Sequence, residues 1–166
     1  MVQCPSHDEA NRGCSTMFRA LNTCKQEATM EIDLEQRFRR IEQLWTSQNW
    51  AEWATTTAPG YTFAPGIGPD RNLSSALAWS RGMFSAFPDL SQTLEHVIPT
   101  GDVVVGVAVC RGTHCGTLDL GLGAQLPPTG RTLQFAYVKV LRFDHDGLVA
   151  HDRQYFDAAK LLRQLR

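Results

Sequence analysis

After Pro88-Asp89 the hydrophobic period of this chain changes from helical to extended, and that switch limits the folds open to it. Before it, apolar residues recur at three- and four-residue steps. From Asp33, the residues Leu34, Phe38, Ile41 and Trp45 mark one helix, with Arg37, Arg39, Arg40 and Glu42 between them; Asp33 with Gln36 makes a loose capping box. A second short helix holds Trp50, Ala51, Trp53 and Ala54 and is broken by Ala58-Pro59-Gly60. Tyr61-Thr62-Phe63 reads as a short strand ended at Pro65-Gly66. A third helix opens at Pro69-Asp70 and runs to about Phe87, where Pro88 stops it.

Beyond the switch the pattern predicts four long strands: Leu90 to Ile98, Val103 to Cys110, Leu133 to Phe143 and Leu148 to Phe156. Pro99-Thr100-Gly101-Asp102 and Asp144 to Gly147 supply tight turns. Gly112 to Gly130 is a long loop or loose hairpin, and Ala158 to Arg166 a closing turn or two of helix. Helices first and an antiparallel meander afterwards predict an α+β fold: about three N-terminal helices covering one face of a curved sheet.

The chain of 166 residues suits one domain with a real core. A net charge of -1 gives no electrostatic reason to expect nucleic acid or an anionic membrane as partner. No apolar run approaches the roughly 20 residues of a membrane span, and the first residues lack the apolar stretch of a secretory signal. A cytoplasmic location is expected. Three of the five cysteines, Cys4, Cys14 and Cys24, fall in a polar opening segment, and Cys110 and Cys115 lie in the strand region. An odd count without an export signal argues against a disulfide framework, and no C-x-x-C pair suggests a metal. Residues 1–29 read as an irregular extension and 30–166 as the domain.

Asp152 concentrates the chemistry. A carboxylate in the middle of a strand that helps to enclose a core is costly unless paired or put to work. Either it faces a pocket as an acid/base group, or it lies on the outer face, solvated or paired with Lys139 or Arg153. Alternation divides the last strand into Val149, His151, Arg153 and Tyr155 on one face and Ala150, Asp152 and Gln154 on the other. Phe135, Tyr137 and Lys139 share a face of the preceding strand. Gly121-Leu122-Gly123 lacks the strand-then-helix setting of a nucleotide loop.

Phe87-Pro88-Asp89-Leu90, Gly101-Asp102-Val103-Val104-Val105, Arg111-Gly112-Thr113-His114 with Gly116, Pro127-Pro128-Thr129-Gly130-Arg131, and Arg142-Phe143 with Asp146-Gly147 occur in one order. Over about residues 31 to 165 that order resembles the SnoaL-like polyketide cyclases, which are similar in fold to nuclear transport factor two, ketosteroid isomerase and limonene epoxide hydrolase. The resemblance implies a cone made from a bent sheet and three helices, with an apolar pocket at its open end. It implies that Asp152 is the carboxylate that shuttles a proton in an intramolecular aldol condensation. Tyr137 and Lys139 are then candidate donors to an enolate oxygen, where the cyclases carry a histidine among their polar residues.

The ending Arg153-Gln154-Tyr155-Phe156-Asp157 is similar to the Arg-Asp-Tyr-Phe-Asp of the epoxide hydrolase, whose middle acid faces its pocket. That implies that Gln154, and with it Asp152, points inward. Gln154 replaces the acid, and Ala108 and Cys110 fall where its Arg-x-Asp partners belong, so epoxide hydrolysis is disfavoured.

The expected substrate-binding set is Gln154, His96, His114, Trp79, Phe135, Cys110 and Tyr61. His96 can face pocket or surface, and His114 can close the pocket or hold its loop. Lys139 can point inward or reach out to solvent. His145 and His151 with Asp144 and Asp146 do not make a convincing metal site, because a turn and a strand seldom aim every ligand at one point. The expected activity is cofactor-free cyclisation or isomerisation of a polyketide- or meroterpenoid-type hydrophobic small molecule, by Asp general acid/base catalysis. The alternatives are a non-catalytic small-molecule-binding or assembly module, or a cofactor-independent hydrolase or hydroxylase. The resemblance also implies a homodimer.

Overall fold

A computed structural model describes residues 32–166. The expected extension, with Cys4, Cys14 and Cys24, lies outside the described residues. Helix α1 (Leu34–Thr46) starts at Asp33, whose carboxylate accepts from the Gln36 amide as an N-cap. Helix α2 (Trp50–Thr55) is capped in the same way by Asn49, and α3 (Leu73–Ala86) by Asn72. The third helix therefore begins three residues later than Pro69-Asp70 suggests, because Asn72 rather than Asp70 accepts the first free N–H.

Strand β1 (Thr57–Ala64) is longer than Tyr61-Thr62-Phe63; Ala58-Pro59-Gly60 lies inside it as an irregular stretch between Thr57 and Thr62. The long strands are β2 (Ser91–Thr100), β3 (Val103–Thr113), β6 (Thr132–Phe143) and β7 (Val149–Tyr155). A small hairpin, β4 (Leu118–Asp119) with β5 (Gln125–Leu126), occupies the long Gly-rich loop, and α4 (Ala158–Gln164) closes the chain with Asp157 as its N-cap.

The five-stranded sheet has the order β1-β7-β6-β3-β2. Its long strands pair antiparallel, and β1 joins β7 in parallel. The fold is thus α+β with an open, mixed sheet whose inner face carries the helices. Alternation sorts the two faces. On β6, Leu133, Tyr137, Lys139, Leu141 and Phe143 are buried inward, while Val138 and Val140 are half-buried on the outer side. Gly106 lets helix α1 approach closely: a Cβ there would run into the Phe38 ring, which is fully buried against the strand.

Two hydrophobic clusters fill the inner face. One gathers Met83, Phe84, Phe87, Leu90, Leu118, Leu120, Leu133 and Leu161. The other gathers Phe38, Ile41, Leu44, Trp53, Tyr61, Phe63, Leu141, Phe143 and Val149. Trp45 and Trp79 pack against both, so they form the seam at which the site lies.

Two β-bulges change which side chains point inward. Between Leu94 and His96 the register of β2 on β3 slips by one, so that Leu94 and Val97 are half-buried while His96 is exposed. His96 is therefore not a cavity residue, which corrects the expectation from simple alternation. A second slip, between Arg142 and Phe143 on β6, pairs Phe143 with Val149 and Arg142 with His151. Val149 joins the core instead of sharing the outer face with His151.

Candidate active site

Asp152 and Gln154 project from the inner face of β7, beside Lys139 and Tyr137 of β6. The register pairs Leu141 with Asp152 and Lys139 with Gln154, which makes Lys139 the diagonal neighbour of Asp152. Asp152 is 6% exposed and Lys139 4% exposed, so neither reaches bulk water. Lys139 thus points inward and does not snorkel.

Its partner is Glu42, a residue that the sequence pattern presents as one of the polar positions of α1. The Lys139 ammonium donates to Glu42 Oε1 at 2.6 Å, and Glu42 itself is only 2% exposed. Gln92 Nε2 donates to Glu42 Oε2 at 2.6 Å, and the Tyr137 hydroxyl donates to Gln92 Oε1 at 2.7 Å. Four side chains from α1, β2 and β6 thereby form one buried, hydrogen-bonded network. The signal for Glu42 was in the spacing: it stands four residues after Phe38 and three before Trp45, on the apolar stripe and not opposite it.

Burial penalises the ionised carboxyl of Asp152 and, with the nearby Glu42 charge, outweighs the Lys139 ammonium and the Tyr61 hydroxyl; the pKa is pushed up to about 6. Tyr61 donates to Asp152 Oδ2 at a long 3.4 Å, and Oδ1 is buried with no hydrogen-bond partner. Desolvation opposes the charge on Lys139, but Glu42 and Asp152 together raise its pKa, so the amine stays an ammonium. Burial raises Tyr61 and Tyr137 well above the ordinary phenol range. Burial likewise pushes the Cys110 thiol up to about 12, so Cys110 is an apolar wall and not a nucleophile.

A cavity of about 40 Å³ opens on the inner face, lined by Trp45, Trp79, Leu120, Phe135, Tyr137 and Phe156 among others, with Lys139, Gln154 and Cys110 in its wall. A narrower cleft of about 10 Å³ continues past Lys139 and Gln154 to Asp152, Tyr61, Trp53 and Ser80. The surroundings are apolar and aromatic, with the polar groups gathered at the junction of the two spaces. Pockets that hold drug-sized ligands measure roughly 300–1,000 Å³. A bulky ligand therefore requires the half-buried Phe135 and Phe156 to move aside.

Of the expected residues, Asp152, Tyr137, Lys139, Gln154, Trp79, Phe135, Cys110 and Tyr61 line one or other of these spaces. His114 does not. It is fully buried, stacked on Phe87 at 5.1 Å, with its Nδ1 3.1 Å from Thr129 Oγ1. Its backbone exchanges hydrogen bonds with Arg131 and Gly130. His114 therefore fastens the end of β3 to the segment entering β6, and desolvation lowers its pKa. His151 is exposed on the outer face, with Nδ1 2.8 Å from Thr62 Oγ1.

Comparison with known proteins agrees with the fold. The family described as SnoaL-like polyketide cyclase matches residues 35–165. No curated protein matches the chain. Among solved structures, a candidate SnoaL-like polyketide cyclase from Jannaschia sp. CCS1 is 24% identical, with a TM-score of 0.65 over 78% of this chain and 91% of that one. IdmH from Streptomyces antibioticus, a candidate polyketide cyclase, is 22% identical, with a TM-score of 0.66 over 80% and 98%. AclR from Streptomyces galilaeus, a candidate hydroxylase, is 22% identical, with a TM-score of 0.62 over 75% of each chain. At these identities the likeness establishes the fold, and one scaffold serves many chemistries. The family match extends over most of the sequence, and the chain belongs to the SnoaL-like polyketide cyclase family.

Proposed function

We propose that this protein is a cofactor-free cyclase or isomerase acting on a polyketide- or meroterpenoid-type carbon acid, with Asp152 as general acid and base. The observation that carries the reading is the buried Asp152 carboxylate in the narrow cleft beside the apolar cavity, with Oδ1 unpartnered and a pKa near 6. Such a base is ionised at neutral pH yet holds its proton far better than a solvated Asp, as general-base catalysis requires.

A carbon between two carbonyls is acidic enough for this base. Asp152 takes its proton, the C–H electron pair passes to a carbonyl oxygen, and the enolate oxygen receives hydrogen bonds from Lys139 and Gln154. Glu42 engages one of the three ammonium hydrogens of Lys139, which leaves others for the enolate. Attack of the enolate carbon on a second carbonyl forms the ring bond, and the new alkoxide takes the proton back from Asp152. Tyr137 is committed to Gln92, so its part is to fix the network that aims Lys139.

The test uses 1,3-dicarbonyl probes with the whole protein. Wild type washes solvent deuterium into the probe at the carbon between the carbonyls; Asp152→Asn binds the probe but exchanges it about 10²–10⁴-fold more slowly. Unchanged exchange in that variant removes Asp152 from the mechanism and favours a plain binding module.

A homodimer belongs to the same proposal. The outer sheet face carries half-exposed Val105, Val107, Val138 and Val140, flanked by Ile98 and Tyr155, which are 54% and 52% exposed. A contiguous apolar patch of this kind suits a second copy.

A further inference from the structure

Buried polar atoms without a hydrogen-bond partner are rare in folded proteins, because burial removes water without replacing it. Four side-chain atoms stand in that condition among the described residues: Trp53 Nε1, Trp79 Nε1, Asp152 Oδ1 and His114 Nε2. Three of the four belong to residues that line one space, the narrow cleft beside the cavity. Two are donors and one is an acceptor, so a single group that both accepts and donates can serve all three. Trp45, the third indole on that cleft, is already satisfied by Ser80 Oγ at 3.0 Å.

The cleft has a volume of about 10 Å³, and one water-sized oxygen needs about 10–15 Å³. Its size and its unmet donors and acceptor therefore fit the same occupant. We propose that the cleft is a binding site for a single hydroxyl oxygen, which accepts from the indole N–H groups of Trp53 and Trp79 and donates to Asp152 Oδ1. A carbonyl oxygen cannot donate to Asp152, and an ammonium cannot accept from an indole. Water and an alcohol or enol hydroxyl of the substrate meet both requirements.

The use of this site rests on the proposed function, although its existence does not. In the aldol reaction the accepting carbonyl gains the pair of electrons released by C–C bond formation and becomes an alkoxide. If that oxygen sits in the cleft, the indoles hold it as charge develops, and Asp152 gives it the proton taken earlier from carbon. The product hydroxyl is then left with the donors and acceptor that the site supplies. Trp53 and Trp79 become the groups that select an acceptor carbonyl projecting a free oxygen beyond the ring.

A high-resolution crystal structure of the unliganded full-length protein tests the site. The expected result is one ordered oxygen within about 2.7–3.2 Å of Asp152 Oδ1 and of at least one indole nitrogen. A cleft without such an oxygen, in a map that shows other buried waters, overturns the proposal. A soak with a hydroxyl-bearing product analogue separates the sources: its hydroxyl replaces the water if the substrate uses the site, and the water persists if it does not.

The catalytic use is read separately with Ala76→Val, which adds bulk to a wall of the cleft. Ring closure falls about tenfold or more relative to deuterium wash-in at carbon, the loss of one good hydrogen bond. Equal loss of both would place the effect on Asp152 and refute the separate oxygen site. Absence of both in the wild type would instead sink the proposed function and leave the crystallographic test standing.

Discussion

At the scale of residues, Asp152 sets the pH behaviour. Its carboxyl pKa is raised from 3.8 to about 6 by burial, so the native state holds its proton more tightly than the unfolded chain does. The stability this group allows is full below the unfolded value and declines as pH rises from near 3.8 through about 6. The total decline is about 3 kcal/mol, since each tenfold change in proton affinity is worth about 1.4 kcal/mol. Asp152→Asn removes that slope: thermal unfolding of the variant at about pH 8 comes at a higher temperature than that of wild type, and the gap closes at about pH 4. Activity runs the opposite way. Deuterium wash-in by the wild type rises with pH to a plateau above about 6, following the ionised fraction of Asp152. A flat profile across about pH 5–8 would contradict Asp152 as the base.

At the scale of elements, α1 is tied to the sheet by a buried ion pair and by a missing side chain. Removing one member of a buried pair strands the other charge. Lys139→Met is expected to cost about 3–5 kcal/mol, and Lys139→Met with Glu42→Leu to recover most of it, measured by urea unfolding. Gly106→Ala forces a methyl into the Phe38 ring and costs about 1–3 kcal/mol; Phe38→Leu in the same chain returns part of that loss. A Gly106→Ala protein as stable as wild type would show that the helix sits farther from β3.

Local periodicity made much of this fold legible, and it failed for identifiable reasons. The alternation on β6 and β7 is uninterrupted around Tyr137, Lys139, Asp152 and Gln154, so each pair could be read as sharing a face, whereas the inward direction came only from the resemblance. One extra residue in β2 at Glu95 turns His96 outward, and nothing in the local pattern marks that residue. Glu42 meets Lys139 across 97 positions of sequence. Its place on the apolar stripe of α1 was visible, whereas its partner depended on tertiary packing.

For the molecule as a whole, the motifs that carry the family resemblance act mainly as fasteners. Asp89 accepts from the Thr113 amide at 2.6 Å and the Thr113 hydroxyl at 2.7 Å, which lowers its pKa and joins the end of α3 to the end of β3. Cys115 and Gly116 donate to Ala86 O, and His114 holds Gly130 and Arg131. These residues specify how the helices and loops are fastened to the sheet, and for that reason they identify the family without identifying the substrate. The outer sheet face supplies the prediction at this scale. Gel filtration is expected to give the mass of a dimer, and Val107→Glu with Val138→Glu to give a monomer; wild type eluting as a monomer overturns the pairing.

The two indoles at the seam between the hydrophobic clusters carry one more consequence. Trp45 and Trp79 border the space that any ligand must enter, and no ligand wide enough to fill it can leave their surroundings unchanged. Intrinsic fluorescence is therefore a ready-made reporter of occupancy. Libraries of aromatic and polyketone compounds can be screened by quenching, with no label and before the reaction itself is identified.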